Sequence, residues 1–276
     1  MIRELLKSNR LTHSLGKLIL DTYCFYIDPV FELFNRLFIT VSNKYGYLKK
    51  YKNRFKGERC FIVCTGPSLN YDDLNYIKNE YSFSMNSIIK ILNNTKWKPS
   101  FFGIQDYDVF EKLKDDIQHY NNKYLFVSDE TYKRYYSILG HKSVNVFKLY
   151  YHGTKRNLKN PRIKFSSDIT RGIYNGYTIT YSLMQIAIYM GFKEIYLLGC
   201  DSNYDPDPNK RYFVSHGHID PNAPIAVQFQ MRAYSVAKKY AEKHGIRIYN
   251  ATRGGKLEVF ERVNLDDITP KNNTIG

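Results

Sequence analysis

The chain lacks long apolar runs and has few cysteines. Of its 276 residues, four are Cys and one is Trp. Four thiols in a chain of this size do not make a disulfide scaffold. Cys60 and Cys64 lie four apart in an apolar run and read as small core residues rather than metal ligands. A reducing, cytoplasmic compartment is therefore expected. A membrane span needs about 20 consecutive apolar residues, and charges break every candidate window. A signal peptide is not expected either: Asp21 interrupts the stretch after Leu18-Ile19-Leu20, Asp28-Pro29 interrupts it again, and no small-residue cleavage site follows. Acidic residues are also scarce, with 26 Asp+Glu against 41 Lys+Arg. The resulting charge of +15 favours an anionic partner: nucleic acid, an anionic membrane face or a phosphorylated substrate. No recognition motif supports nucleic acid, and the cations cluster before the main domain rather than along one element.

Tyrosine and phenylalanine are abundant, at 26 and 17. Many fall in residues 1–56, read as a helical, aromatic and basic N-terminal arm with Tyr23, Phe25, Phe31, Phe34 and Phe38. Its end carries Lys44, Lys49, Lys50, Lys52, Arg54 and Lys56. Two readings stay open: helices packed on the main domain, or an interfacial helix on lipid, peripheral on the inner face of the membrane. Residues 269–276 read as a polar tail.

Residues 57–268 alternate between strand and helix signals. Cys60-Phe61-Ile62-Val63-Cys64 is a short continuous apolar run, as in a strand buried on both faces. Similar runs recur at Tyr81–Met85, Phe101–Gln105, Tyr124–Val127, Val144–Lys148, Glu194–Gly199 and Ile246–Tyr249. Helical spacing marks Thr178–Met190, ended by Gly191, and Ala226–His244, ended by Gly245. This order predicts an α/β, Rossmann-like, mainly parallel sheet with helices on both faces. Ligands in such sheets bind at the carboxyl ends of strands, beside a switch in strand order.

Three strand ends carry the candidate chemistry. In Thr65-Gly66-Pro67-Ser68, the glycine lets backbone N–H groups approach a phosphate, and Ser68 is placed to cap the next helix. The GK[ST] ending of a P-loop is absent. Asn86 follows the second strand and can pair with a base or ribose. Asp201 ends the strand EIYLL-Gly-Cys, where it can bind a ribose hydroxyl, orient a side chain, hold a metal or cap a loop. A long Pro-rich loop then runs from Asn203 to Pro221, the length of a lid or substrate loop. Its His216 and His218 suggest a general base, with a metal site or inert surface histidines as the other readings. Near the chain end, Arg253-Gly254-Gly255-Lys256 reads either as a phosphate contact or as a tight turn.

The motifs FIVCTGPSLN, SMNSI, GYTITYSLMQIAIYMGFKEIYLLGCD, HID and IYNATRGGKLEVF together resemble a broad bacterial family described as 6-hydroxymethylpterin diphosphokinase-like. Their order is similar, more distantly, to the family 42 bacterial sialyltransferases. That second resemblance implies a variant of the A-type glycosyltransferase fold and metal-independent transfer of a sialic acid-like sugar from a CMP-activated donor to a surface-glycan acceptor. It puts Gly66 and Ser68 at the nucleotide phosphate, with Thr65 where that family has Asn. Asn86 falls at the cytidine or ribose, and Thr178 and Thr180 near the donor sugar. His216 or His218 becomes the base, and Tyr204 and Tyr212 stabilise the departing phosphate. The pterin resemblance implies instead diphosphate transfer from ATP with Mg²⁺, with Asp106 and Asp201 as candidate metal ligands. Oligomeric state stays open.

Overall fold

A computed structural model describes residues 28–121, 124–151, 163–203, 205–207, 210–218 and 223–269. Tyr204 and the 270–276 part of the tail lie outside them, as do the first 27 residues of the arm.

Within these bounds the expected α/β architecture is present. Eight strands form one sheet: β1 (Arg59–Val63), β2 (Ser82–Met85), β3 (Phe101–Ile104), β4 (Leu125–Ser128), β5 (Val144–Phe147), β8 (Glu194–Leu198), β9 (Arg247–Asn250) and β10 (Glu261–Arg262). Their order is β10-β9-β8-β1-β2-β3-β4-β5, and every pairing is parallel. Two short strands, β6 (Leu149–Tyr150) and β7 (Ile173–Tyr174), pair separately. The chain builds outward from β1 to β5, then returns to the other side of β1 as β8. The switch in strand order therefore lies between β1 and β8, where Val63 stands opposite Leu198.

Side chains alternate across the pleat. Cys60 and Ile62 enter one core layer with Phe83, Phe101 and Phe126, whereas Phe61 and Val63 enter the other with Phe102 and Ile104. The main helices are α1 (Asp28–Ser42), α2 (Tyr71–Tyr76), α3 (Tyr107–His119), α4 (Ile179–Met190) and α5 (Ala223–Lys243). Every residue of α4 is buried: apolar side chains cover most of its circumference, and the buried Ser182 and Gln185 donate to the Gln105 side chain and the Tyr174 carbonyl. It starts on its Thr178 cap and stops at Gly191, whose φ of 96° suits a residue without Cβ. Just before β1, Tyr45, Leu48 and Tyr51 are buried in the same core layer as Ile62, and Phe55 stacks on Phe192. No helix among the described residues is long and apolar enough to cross a membrane.

Candidate active site

The carboxyl ends of β1, β2, β3 and β8 open into a cavity of about 680 Å³, where an open parallel sheet binds its ligands. Thr65, Gly66, Asn86, Asp106, Thr178, Thr180, Asp201, Tyr212, His216 and His218 all line it. Residues nominated from several separate motifs thus meet at one place. Ser68 reaches it through Asp201.

The turns after β1 and β8 are locked together. The Ser68 hydroxyl donates to Asp201 Oδ2 at 2.8 Å, and its N–H points to the same oxygen at 3.4 Å. A Cβ on Gly66 would sit 1.9 Å from that oxygen, and one on Gly255 would sit 2.4 Å from the Asp201 backbone. Both glycines are therefore required by close approach. Burial raises the Asp201 carboxyl above its ordinary value, and the Ser68 bonds work against that rise.

Three local expectations are corrected. The Gly66 N–H donates to the Gly199 carbonyl at 2.8 Å, so it serves the turn and is not turned to a phosphate. The cap of α2 is Asn70, which accepts from the Asp73 N–H; Ser68 is not the cap, because its hydroxyl is engaged by Asp201. The phosphate reading of Arg253 also gives way to a structural one. Its guanidinium grips buried Asp73 at 2.6 Å and Asp266 at 3.1 Å.

On the opposite wall, Asp106 caps α3 by accepting from the Asp108 and Val109 N–H groups. Thr178 caps α4, and its hydroxyl donates to Thr180 Oγ1 at 3.1 Å. Thr180 is itself buried against Cys64 and Met85. In the loop, His216 is buried, 4.7 Å between ring centroids from Tyr212. Its Nδ1 accepts the His218 N–H at 3.1 Å. Burial first, then the nearby His218 and Lys90 charges, push its pKa down to about 4, against a weaker pull from Asp106. The ring is therefore neutral at physiological pH, with its proton on Nε2.

Sequence reasoning missed an aromatic platform. The Tyr177 ring stacks on Phe229, centroids 4.6 Å apart, and both line the cavity. Tyr177 has φ of 63°, held by Asn175 Oδ1 at its N–H and by Gln230 at its carbonyl. Asn86 and Ser202 also have positive φ and line the same cavity. Strained non-glycine backbone gathers at functional sites. The only sequence signal was an aromatic placed between Gly176 and the helix cap Thr178.

Among the described residues no three His, Cys, Asp or Glu side chains converge to hold a metal ion. Asp106 and Asp201 face one cavity, but each already commits one oxygen to a protein donor. A magnesium ion there would draw most of its ligands from a nucleotide's phosphates.

Among solved structures, the chain is similar to the sialyltransferase CstII from Campylobacter jejuni in complex with a substrate analogue, CMP-3FNeuAc. Identity is 14%, coverage is 75% of this chain and 86% of that chain, and the TM-score is 0.33. It is also similar to the same enzyme in complex with cytidine-5'-monophosphate, at 13% identity, 75% and 85% coverage and a TM-score of 0.34. No curated protein matches the chain. The model of the family described as 6-hydroxymethylpterin diphosphokinase MptE-like matches residues 37–207, more than half of the sequence and all of β1 to β8. The chain belongs to the 6-hydroxymethylpterin diphosphokinase MptE-like family.

Proposed function

We propose that the chain is a glycosyltransferase that moves a sialic acid-like sugar from a CMP-activated donor to a glycan acceptor, without a metal. The observation that carries this reading is the charge of the cavity wall. Arg211 is its single Arg or Lys among the described residues, and its guanidinium donates to the Asp205 and Pro206 carbonyls. Among the described residues a triphosphate would meet little cationic compensation here. A phosphodiester flanked by hydroxyls and amides is a better match. The resemblance to family 42 sialyltransferases supplies the donor class.

Of the two histidines, His218 is the better base. His216 carries its proton on Nε2 and its pKa is far below neutrality, so it serves as a hydrogen-bond donor. His218 takes the acceptor hydroxyl's proton as that oxygen bonds to the anomeric carbon. The bond from that carbon to the phosphate oxygen breaks, CMP leaves, and configuration inverts. Tyr212, whose ring is tilted against His216, donates to the departing phosphate. Tyr177 and Phe229 offer a flat apolar surface for a sugar or base.

Melting temperatures measured with CMP, CDP, UDP, GDP and ATP, with and without Mg²⁺, test the reading. Saturating CMP should raise the melting temperature by about 5 °C or more without metal. Stabilisation by ATP with Mg²⁺ alone would sink it. The competing reading, ATP- and Mg²⁺-dependent diphosphate transfer, is favoured by family membership and by Asp106 and Asp201 facing one cavity.

A further inference from the structure

Helix α1 turns Glu32 and Arg36, together with Ile39, toward the body of the protein. Glu32 is 3% exposed, accepts a hydrogen bond from the Tyr174 hydroxyl and pairs with Lys164 at 2.6 Å. Arg36 donates to the same Tyr174 hydroxyl at 2.6 Å. The opposite arc is apolar and faces solvent: Phe31, Phe34 and Phe38 are 61%, 65% and 68% exposed, Leu37 51% and Val41 86%. Residues three and four apart share one side of a helix, so these five form a continuous stripe. Single exposed apolar residues are ordinary, but a contiguous set marks an interaction surface.

The chain that follows says what kind of surface meets it. Lys44, Lys49, Lys50, Lys52, Arg54 and Lys56 are all exposed, and no acidic residue lies between Ser42 and Glu58. We propose that α1 and this basic segment dock the protein on an anionic lipid bilayer. The phenylalanine stripe lies at the boundary between headgroups and acyl chains, and the cations meet lipid phosphates. A helix of 15 residues is roughly 22 Å long, shorter than the apolar core of a bilayer. It therefore lies along the surface rather than crossing it. Anchored by Glu32 and Arg36, it fixes the orientation of the whole molecule on the membrane. A second copy of the chain fits less well, because the pairing would bring two unneutralised cationic segments together. This proposal is independent of the donor reading.

Co-sedimentation of the full chain with phosphatidylcholine vesicles, and with phosphatidylcholine–phosphatidylglycerol vesicles, tests it. Binding is expected on the anionic vesicles and should weaken as salt rises. Phe34→Asp with Phe38→Asp should lower partitioning about 100-fold. Lys49→Glu with Lys50→Glu should lower it at least about tenfold. All four positions are exposed, so both variants should keep the parent's melting temperature. Absence of binding to anionic vesicles would overturn the proposal, as would binding that neither variant weakens. A dimer dispersed by the phenylalanine changes, with no vesicle binding, would also overturn it and assign the stripe to self-association.

Discussion

The Ser68 hydroxyl donates to Oδ2 of Asp201 at 2.8 Å, and this bond ties the turn after β1 to the turn after β8 across the switch in strand order. Asp201 is 7% exposed, so the hydrogen-bond donors of its carboxylate carry much of the cost of keeping a charge there. Ser68→Ala should therefore cost about 1–3 kcal/mol, read as a lower midpoint in urea unfolding. It should also weaken binding of whichever nucleotide stabilises the parent. An unchanged midpoint would show that the bond contributes nothing net.

Asp201 also sets a pH dependence. Its folded pKa is raised above the ordinary 3.8, so the folded state holds the proton more tightly than the unfolded chain. By linkage, this group's contribution makes stability fall as pH rises from about 3.8 through the folded value. Asp201→Asn should remove that fall. Melting temperatures of parent and variant between about pH 3.5 and 6 would separate the two curves, and parallel curves would contradict the assignment.

Gly66→Ala places a methyl 1.9 Å from Asp201 Oδ2 and 2.5 Å from the Gly199 carbonyl oxygen. Neither neighbour is the loose end of a long side chain, so the turn itself must shift. The expected result is a loss of about 2 kcal/mol or more, together with loss of nucleotide-induced stabilisation. Gly217→Ala makes a useful contrast: nothing lies within 4 Å of its added carbon, although its φ of 77° carries a conformational cost. If Gly66→Ala melts no lower than Gly217→Ala, the close approach at Asp201 is not limiting.

His216 gives the opposite sign. Its folded pKa is about 4, below the ordinary 6.5, so between these values the unfolded chain binds the proton more readily. Its contribution makes stability rise with pH across that window, by up to about 3 kcal/mol. His216→Gln should flatten this rise. Imidazole resonances of His216 should not titrate between pH 5.5 and 8, roughly speaking, if burial governs the ring. His218→Ala should slow transfer by about 10²-fold or more while leaving donor binding intact. Equal losses of transfer in His216→Gln and His218→Ala would undo the distinction between base and donor.

Much of the sheet was legible because β1 and β8 are buried on both faces and leave short continuous apolar runs bounded by turns. Helix α4 was legible for a related reason: its apolar spacing ends at Gly191. Helix α3 leaves little trace in the sequence, although Val109, Phe110, Leu113 and Ile117 line its buried side. Its stripe is thin and diluted by charged residues. The two-residue strands β6, β7 and β10 are too short to leave any period. At the site, turn residues such as Asn86 and Asp201 could be read from what precedes them in sequence. The Tyr177–Phe229 platform could not, because it depends on how α5 lies across the turn before α4. Phe229 lay in a stripe that reads simply as core. Arg253 misled because a guanidinium beside two glycines looks the same whether its anion is a ligand or a buried aspartate.

That ambiguity has a direct test. Arg253 Nε lies 2.6 Å from an Asp73 carboxylate whose side chain is 1% exposed, and Asp73 Oδ2 has no hydrogen-bond partner. Arg253→Ala leaves that charge buried without its cation, and the expected loss is about 3 kcal/mol or more at neutral pH. Burial already holds the Asp73 pKa above its ordinary value, while Arg253 pulls it down. Removing the guanidinium should raise it further. The variant's deficit should therefore shrink as acid protonates Asp73, and Asp73→Asn in the Arg253→Ala background should recover part of the loss at pH 7. Urea unfolding at pH 7 and at about pH 4.5 measures both effects. A deficit of the same size at both pH values would assign Arg253's contribution to the exposed Asp266 pair instead. A variant of unchanged stability that binds nucleotide more weakly would return Arg253 to the phosphate.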